Sequence, residues 1–209
     1  MKSLYALPFA ALLALPAQAA TTVTWAEWER IDADSAIASF WTGDHFVTVT
    51  ADSTLAFRAV EATGSPYLSG PAYTLGSVAN SPAGKDLIQM ANGGRLTFTF
   101  SEMVDDIYMA YVSWNGQPPV TFSTPVTVDS NGAGFWGTGT AVASGGVVTF
   151  GGEAHGVLKM AGVMSFTMDH GFEDWHGFTL GITPVPLPAS APLLVGALGA
   201  IGLIRRRKA

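Results

Sequence analysis

The chain has 209 residues, no cysteine and a formal net charge of −6. All 16 Asp and Glu, but only five of the 10 Lys and Arg, lie between residues 21 and 183, so this part carries 5 − 16 = −11. This acidic balance argues against a nucleic-acid partner, because phosphate binding needs Lys and Arg. Without cysteine, no disulfide stabilises the fold, so packing or bound ions must do so.

Residues 1–19 have the pattern of a secretory signal peptide. Lys2 supplies the positive start, residues 4–15 are apolar, and Ala17 and Ala19 form a small-x-small cleavage site. We expect signal peptidase to cut after Ala19 or after the following alanine. An N-terminal anchor helix is the alternative, but the apolar run is short for one. The protein is therefore expected to be exported.

The body, residues 20–183, is long enough for one domain with its own core, and its pattern is that of β-strands. Residues 95–101 alternate, with Leu96, Phe98 and Phe100 on one face, and Phe166 and Phe178 lie in similar alternating runs. Period-two alternation is typical of strands with one face in a core. Further strands are predicted at 45–51, 55–60, 107–113, 120–128, 155–161, 164–168 and 178–182.

Turn signals separate these strands. Gly and Asn cluster at residues 64–66, 92–94, 115–119, 131–132 and 145–146. Many short strands with turns between them predict an all-β domain, a β-sandwich of jelly-roll-like form. The segments most compatible with helical turns are 32–40 and 82–90.

Three of the four histidines lie within 22 residues of one another. Glu153 and His155 precede Glu173 and His176 by about twenty residues, and each histidine is followed by glycine. One interpretation is a metal site, since imidazole and carboxylate suit zinc or a similar ion. The alternative, which we favour, is structural: two adjacent antiparallel strands place the His-Gly pairs side by side, and the acids bond backbone or imidazole.

Other candidate sites have weaker patterns. Asp129-Ser130-Asn131-Gly132 resembles half of a calcium loop, but no Glu follows at the required distance, so a turn is favoured and Ca²⁺ is the second interpretation. Asp105-Asp106 is expected to mark a strand start. Glu153 and Glu173 form the carboxylate pair that a glycoside hydrolase would need. No Gly-x-Ser-x-Gly motif is present.

Tryptophans raise the possibility of a sugar-stacking platform. For each of them, packing in the core or at a strand edge is the favoured alternative. The five concerned are Trp25, Trp28, Trp41, Trp114 and Trp136.

The last 26 residues, 184–209, form a separate unit. The run Val185-Pro186-Leu187-Pro188-Ala189 precedes an uncharged apolar segment, 190–204, and the basic run Arg205-Arg206-Arg207-Lys208. As a helix the apolar segment would span only about 22 Å, against a bilayer core of about 30 Å. It predicts a short transmembrane helix whose cations stay in the cytoplasm. A buried C-terminal core helix is the alternative, but such helices rarely end in four unpaired cations.

This tail resembles the PEP-CTERM sorting signals, most closely the VPLPA-CTERM variant. The resemblance implies recognition and cutting by an exosortase-type membrane protease in a Gram-negative envelope, after a transient stay in the inner membrane. A strand of the form Leu96-Thr97-Phe98-Thr99-Phe100 is followed by Glu153-Ala154-His155-Gly156-Val157-Leu158 and then by Trp175-His176-Gly177-Phe178-Thr179-Leu180-Gly181. With these motifs, residues 77–182 are similar to a domain found in many proteins with such tails, although Ala154 stands where Gly is expected. That resemblance implies an exported β-domain and transfers no catalytic residue.

Three function classes follow from these patterns. The first and favoured class is a cell-surface or matrix protein with a non-catalytic binding or structural role. The second is a carbohydrate-binding module whose partner is a polysaccharide. The third is an envelope hydrolase.

Overall fold

The computed structural model describes residues 20–116 and 118–183. The predicted signal peptide, proline motif, membrane segment and basic end therefore lie outside the described residues. The described part holds fifteen strands and one short 3-10 helix, Pro71–Tyr73. Within it, no helix has the length and apolarity needed to cross a membrane. The prediction of an all-β domain is confirmed.

Two antiparallel sheets form a β-sandwich. The seven-stranded sheet has the order β10 (Val126–Asn131), β13 (Ala154–Ala161), β8 (Asp106–Trp114), β15 (His176–Ile182), β6 (Leu87–Met90) and β5 (Ala59–Glu61), and β1 (Thr24–Trp25) also pairs with β15. The eight-stranded sheet has the order β11 (Thr140–Ser144), β12 (Val147–Gly151), β9 (Val120–Phe122), β14 (Ser165–His170), β7 (Gly94–Phe100), β4 (Phe46–Ser53), β3 (Ser35–Trp41) and β2 (Glu27–Arg30).

The main core lies between the two sheets and is rich in phenylalanine. Phe98 stacks on Phe166 with ring centroids 4.6 Å apart, and its ring meets Phe178 edge-on at 5.6 Å. These three rings, together with Leu96 and Phe100, are buried. The sequence prediction that alternation places them inside is confirmed.

The outer face of the seven-stranded sheet is buried as well. Along β8, Tyr108, Ala110 and Val112 belong to a second apolar cluster with Leu68 and Tyr73, which come from the long segment before β6. Both faces of the central strands are therefore covered. This explains why β8 is a nearly continuous apolar run instead of an alternating one.

The expected helical turns at 32–40 and 82–90 are wrong. Most of the first segment is β3, in which Ala36, Ala38 and Phe40 face the core and pair with β4. The end of the second is β6, a strand between β15 and β5. Alanine is the best helix former, but intrinsic helix propensity is a small free-energy term, and pairing with neighbouring strands overrides it.

Two predicted strands have different bounds in the structure. The predicted strand 120–128 divides into β9 and β10 at residues 123–125, where Pro125 cannot donate to a ladder. Of the predicted strand 55–60, only its last two residues lie in a strand, β5. The predicted turn at Gly145-Gly146 is confirmed, since it joins β11 and β12 with φ +59° at Gly145.

The two His-Gly pairs differ in what their glycines contact. A Cβ at Gly156, where β13 has a bulge, would lie 2.1 Å from the carbonyl oxygen of Ser130 and 2.7 Å from the hydroxyl of Tyr111. A Cβ at Gly177 would meet the terminal carbons of Leu87 at 3.0 and 3.1 Å and the carbonyl oxygen of Ile88 at 3.2 Å. Shifts of a few tenths of an ångström relieve these contacts, whereas the closer approach to the backbone of β10 at Gly156 needs a much larger shift.

We therefore expect Gly156→Ala to lower the free energy of unfolding by about 3 kcal/mol and Gly177→Ala by about 1 kcal/mol. Urea unfolding of the two variants beside the wild type measures both values. Equal losses for the two substitutions would contradict the close backbone approach at Gly156.

Candidate functional site

Several sequence-distant polar residues meet at one end of the seven-stranded sheet. At this end, β8 finishes at Trp114, which pairs with Ala154 at the start of β13. Beside them, β15 starts at His176, which pairs with Met90 at the end of β6. The residues just outside these strands, Asn115 and the two glutamates Glu153 and Glu173, are thereby brought together.

Asn115 bridges the two glutamates. Its backbone N–H donates to Oε1 of Glu173 at 2.9 Å, and its side-chain amide donates to Oε1 of Glu153. Glu153 also accepts a hydrogen bond from the hydroxyl of Ser113 at 2.6 Å. The carboxylate pair singled out in the sequence is therefore a real spatial pair, held by scaffold donors.

Glu173 lies in an environment that favours its neutral form. Its side chain is only 7% exposed, and burial raises the pKa of its carboxyl to about 8. The Asn115 N–H opposes this rise, while the nearby charges of Glu153 and Asp174 add to it. Near neutral pH the carboxyl therefore holds a proton for a large part of the time.

A chain of buried histidines continues from Glu173. Nδ1 of His176 lies 3.6 Å from Oε2 of Glu173, and its Nε2 lies 3.0 Å from Nδ1 of His170. Burial first, and the neighbouring His170 second, lower the pKa of His176 to about 3. Burial likewise lowers the pKa of His170. Both rings are therefore neutral at physiological pH, and the imidazole of His176 also packs edge-on against Trp114 at 5.2 Å.

His155 has a different set of partners. Its Nδ1 donates to the carbonyl of Glu153 at 3.0 Å, and its Nε2 accepts from the backbone N–H of Trp136 at 3.4 Å. One neutral tautomer satisfies both bonds, and burial lowers the pKa of this ring. A Cβ at Gly134 would lie 2.2 Å from the ring, so the loop before β11 packs directly on His155.

The expectation that the strands of the two His-Gly pairs are adjacent is wrong. His155 lies on β13 and His176 on β15, and β8 separates these strands. Among the described residues, no group of three or more His, Asp or Glu stands close enough to hold a metal ion. The bonding partners of both histidines agree with the structural interpretation that we favoured.

Metal addition provides a test of this interpretation. We expect EDTA and Zn²⁺ to leave the melting temperature of the protein unchanged, and His176→Gln to lower the free energy of unfolding by about 0.5–1.5 kcal/mol through a lost hydrogen bond. A metal site would instead add about 2.7 kcal/mol at a hundredfold excess over the dissociation constant. If EDTA lowers the melting temperature of the wild type but not that of His176→Gln, the site binds a metal ion and the structural interpretation is wrong.

A cavity of about 230 Å³ opens beside the two glutamates. It is lined by Ser113, Asn115, Glu153, Glu173, Asp174 and Trp175. Ser113 has φ +57°, a left-handed conformation that is costly for serine and is often found at functional sites. Neither His155 nor His176 is among the lining residues.

An aromatic cluster adjoins this cavity. We use this name for Tyr67, Phe135, Trp136 and Trp175. Tyr67 stacks on Trp136 with centroids 4.7 Å apart, and Trp175 meets both rings at 5.2 and 4.7 Å. Phe135 and Trp136 remain 48% and 43% exposed. Because Trp175 also lines the cavity, the cluster and the polar residues form one continuous surface.

The five tryptophans of the proposed sugar platform do not form one exposed surface. Trp25, Trp28 and Trp114 are buried, and the indole N–H of Trp114 donates to the carbonyl of Gly177 at 2.8 Å. For these three the packing interpretation is correct. Trp41 and Trp136 are about half exposed and lie in different places.

The acidic sequence motifs at 105–106 and 129–132 have structural partners. Asp106 starts β8 as predicted and pairs with Lys159 at 2.9 Å. Asp129 lies in β10, beside a bulge, so the favoured interpretation as a turn is wrong. Its carboxylate accepts hydrogen bonds from the hydroxyl of Ser77 at 2.5 Å and from the Ser77 N–H, which joins β10 to the segment before β6.

Comparisons of the chain with models of protein families, with curated proteins and with solved structures find no match. The tail resembles VPLPA-CTERM signals, and residues 77–182 resemble an exported β-domain. What these two resemblances imply about sorting and export therefore stays a prediction.

Proposed function

We propose that this chain is an exported cell-surface or extracellular-matrix protein whose β-domain has a non-catalytic binding or structural role. A signal peptidase removes residues 1–19, and residues 190–204 hold the chain in the inner membrane through a short helix. An exosortase-type protease then cuts near residues 185–189. The product is a jelly-roll-like sandwich, displayed on a Gram-negative surface or released from it.

The observation that carries this proposal is the order of signals at the two ends of the chain. An Ala-x-Ala site follows a short apolar run at the start, and a proline motif, apolar segment and basic run follow one another at the end. The acidic charge of the body and its lack of cysteine are compatible with export. Glu153 and Glu173 accept hydrogen bonds from Asn115, and Glu153 also from Ser113, which supports a structural role for them instead of catalysis.

Replacing Pro186 and Pro188 by alanine tests the processing step. We expect intact-mass measurement of wild-type protein from its native host to show loss of residues 190–209, and the double variant to keep them and stay in the inner membrane. Pro66→Ala, a substitution in an exposed loop, is the matched control and should be processed normally. Extracellular wild-type protein that still carries Arg205 to Lys208 would contradict the proposal.

A carbohydrate-binding module is the second candidate, and the aromatic cluster favours it. Small-molecule sites are usually lined by aromatic side chains together with a few hydrogen-bonding groups. Here Trp136 and Phe135 supply exposed rings, and Asn115 and Asp174 lie nearby on the cavity wall. Glycan-array binding with and without Ca²⁺, compared between wild type and Trp136→Ala, tests this candidate.

The envelope hydrolase has the least support. A hydrolase site would be expected to show a deep pocket lined by His155, His176 and Glu153 together. The cavity contains Glu153 and Glu173 but neither histidine, and Asn115 holds both carboxyl groups.

A further inference from the structure

A second cavity, of about 360 Å³, lies at the opposite end of β15 from Glu173. Its walls include Trp25, Glu27, Ser39, Trp41, Phe46 and Lys85. β15 runs from His176 to Ile182, and Ile182 pairs with Thr24 beside this cavity. The two cavities are therefore separated by the length of a strand, and this volume falls within the range of small-molecule sites.

Two large aromatic side chains stand exposed at this cavity. Trp41 and Phe46 face each other across β3 and β4, with ring centroids 4.9 Å apart, and are 51% and 61% exposed. Each neighbour along its strand, Phe40 and Val47, is buried in the core. The alternation of the strands thus presents the aromatic pair outward, where it covers no core.

The walls of this cavity are fixed before any ligand arrives. The side chain of Asn80 donates to the carbonyl of Val23 and accepts from its N–H, both at 2.7 Å, and the Asn80 carbonyl accepts from the indole N–H of Trp25. Glu27 and Lys85, which both line the cavity, form an ion pair. A rigid site loses little conformational freedom on binding, which favours affinity.

The hairpin that carries the aromatic pair is also anchored. His45, next to Phe46, contacts the carboxylates of Asp44 and Glu102, each at 2.6 Å. The hydrogen bonds to Glu102 and then to Asp44 raise the pKa of this imidazole, which favours the charged form of the bridge. These contacts tie the turn between Trp41 and Phe46 to the segment after β7.

We propose that this cavity binds a sugar ring of a neutral, linear polysaccharide. A pyranose ring has an apolar C–H face and a rim of hydroxyls, which match the aromatic pair and the polar Glu27, Ser39 and Lys85. A smaller cavity of about 180 Å³ shares Glu27 and Ser39 and continues along the outer face of the eight-stranded sheet, which suits an extended chain. The net charge of −11 for residues 21–183 disfavours an anionic polymer.

The inference rests on the proposed function in one respect: export brings the domain into contact with polysaccharide. The proposed sugar site is distinct from the aromatic cluster, so substitutions in one or the other distinguish the two binding hypotheses. The sugar-binding test is also independent of the tail, since processing is measured by mass and sugar binding by affinity. Normal processing without binding would overturn this inference alone, and binding without processing would overturn the proposed function alone.

The test measures binding of the full-length chain, purified in detergent, to neutral polysaccharides (dextran, a β-1,3-glucan and a mannan) and to anionic alginate. We expect at least one neutral polymer to bind and alginate not to bind. Trp41→Ala and Phe46→Ala should each weaken binding at least tenfold. Both side chains are exposed, so the variants should melt within about two degrees of the wild type.

Phe172→Ala, which removes an aromatic ring that is 64% exposed and outside the cavity, is the matched control and should bind like the wild type. Absence of binding to every neutral polymer, or wild-type affinity in both Trp41→Ala and Phe46→Ala, would overturn the inference. Loss of binding in Trp136→Ala alone would place the sugar site at the aromatic cluster instead.

Discussion

Phe98→Ala is expected to lower the free energy of unfolding by about 3–5 kcal/mol, the usual cost of removing a buried phenylalanine ring. Phe98 is fully buried and touches both Phe166 and Phe178, so its loss leaves a cavity between the two sheets. A domain of this size has a total stability of about 5–15 kcal/mol. The melting temperature should fall by roughly 2–4 °C for each kcal/mol.

Thermal and urea unfolding of the variant beside the wild type measure this loss. Phe172→Ala, which removes a ring that is mostly in solvent, serves as the control and should change stability by no more than about 0.5 kcal/mol. A melting temperature for Phe98→Ala within two degrees of the wild type would show that the ring does not lie between the sheets.

The part of the fold that the sequence predicts is the part where one strand face is buried. β7 is the clearest case, since Leu96, Phe98 and Phe100 face the core and the threonines between them do not. β3 does not show this pattern clearly because two of its three core-facing residues are alanines, whose small side chains weaken the alternation. β6 escapes it because all four of its residues are buried, which leaves no alternation to detect.

The site was predictable in its residue types but not in its geometry. Glu153 and Glu173 stand out in the sequence, and they do meet in space. Asn115 holds them together, but in the sequence it reads only as part of a turn. The left-handed Ser113 leaves no sequence signal at all, because φ +57° depends on the surrounding fold.

The exposure of the tryptophans was equally hidden from the sequence. Trp25 and Trp41 both lie at the ends of strands, yet one is buried and the other half exposed. The difference comes from the long segment before β6: it adds Leu68, Tyr73 and Val78 to the apolar cluster that contains Trp25, and its Asn80 carbonyl accepts from the Trp25 indole N–H. Such coverage depends on contacts between distant parts of the chain.

Glu173 is expected to make the stability of the protein fall as the pH rises from about 5 to 8. Its pKa is about 8 in the folded protein, above the ordinary value of 4.5 for Glu. Between these values the unfolded chain releases a proton that the folded chain keeps. The stabilisation is therefore complete below about pH 4.5 and is lost as the pH approaches 8, by up to about 1.4 kcal/mol per pH unit for this single group.

The variant Glu173→Gln isolates this effect. Glutamine keeps an acceptor for the N–H of Asn115 but does not titrate, so the stability difference between wild type and variant should shift steadily against the wild type over this range. The buried His170 and His176 act in the opposite sense below about pH 6.5, because burial lowers the pKa of each. Above about pH 6.5 both rings are neutral in the folded and the unfolded chain, so the change between pH 7 and pH 8 comes from Glu173. Below that pH His176 contributes as well, because its Nδ1 lies 3.6 Å from Oε2 of Glu173.

Urea unfolding at pH 5, 6, 7 and 8 provides the measurement, and Glu29→Gln is the matched control. Glu29 is exposed on β2, so the same change of side chain there should give a difference that stays level with pH. If the difference for Glu173→Gln is also level, the carboxyl ionises as readily in the folded protein as in the unfolded one. The proton would then be absent from the Glu173–His176 contact at neutral pH, and the burial of Glu173 would have to be offset by bonds to its charged form.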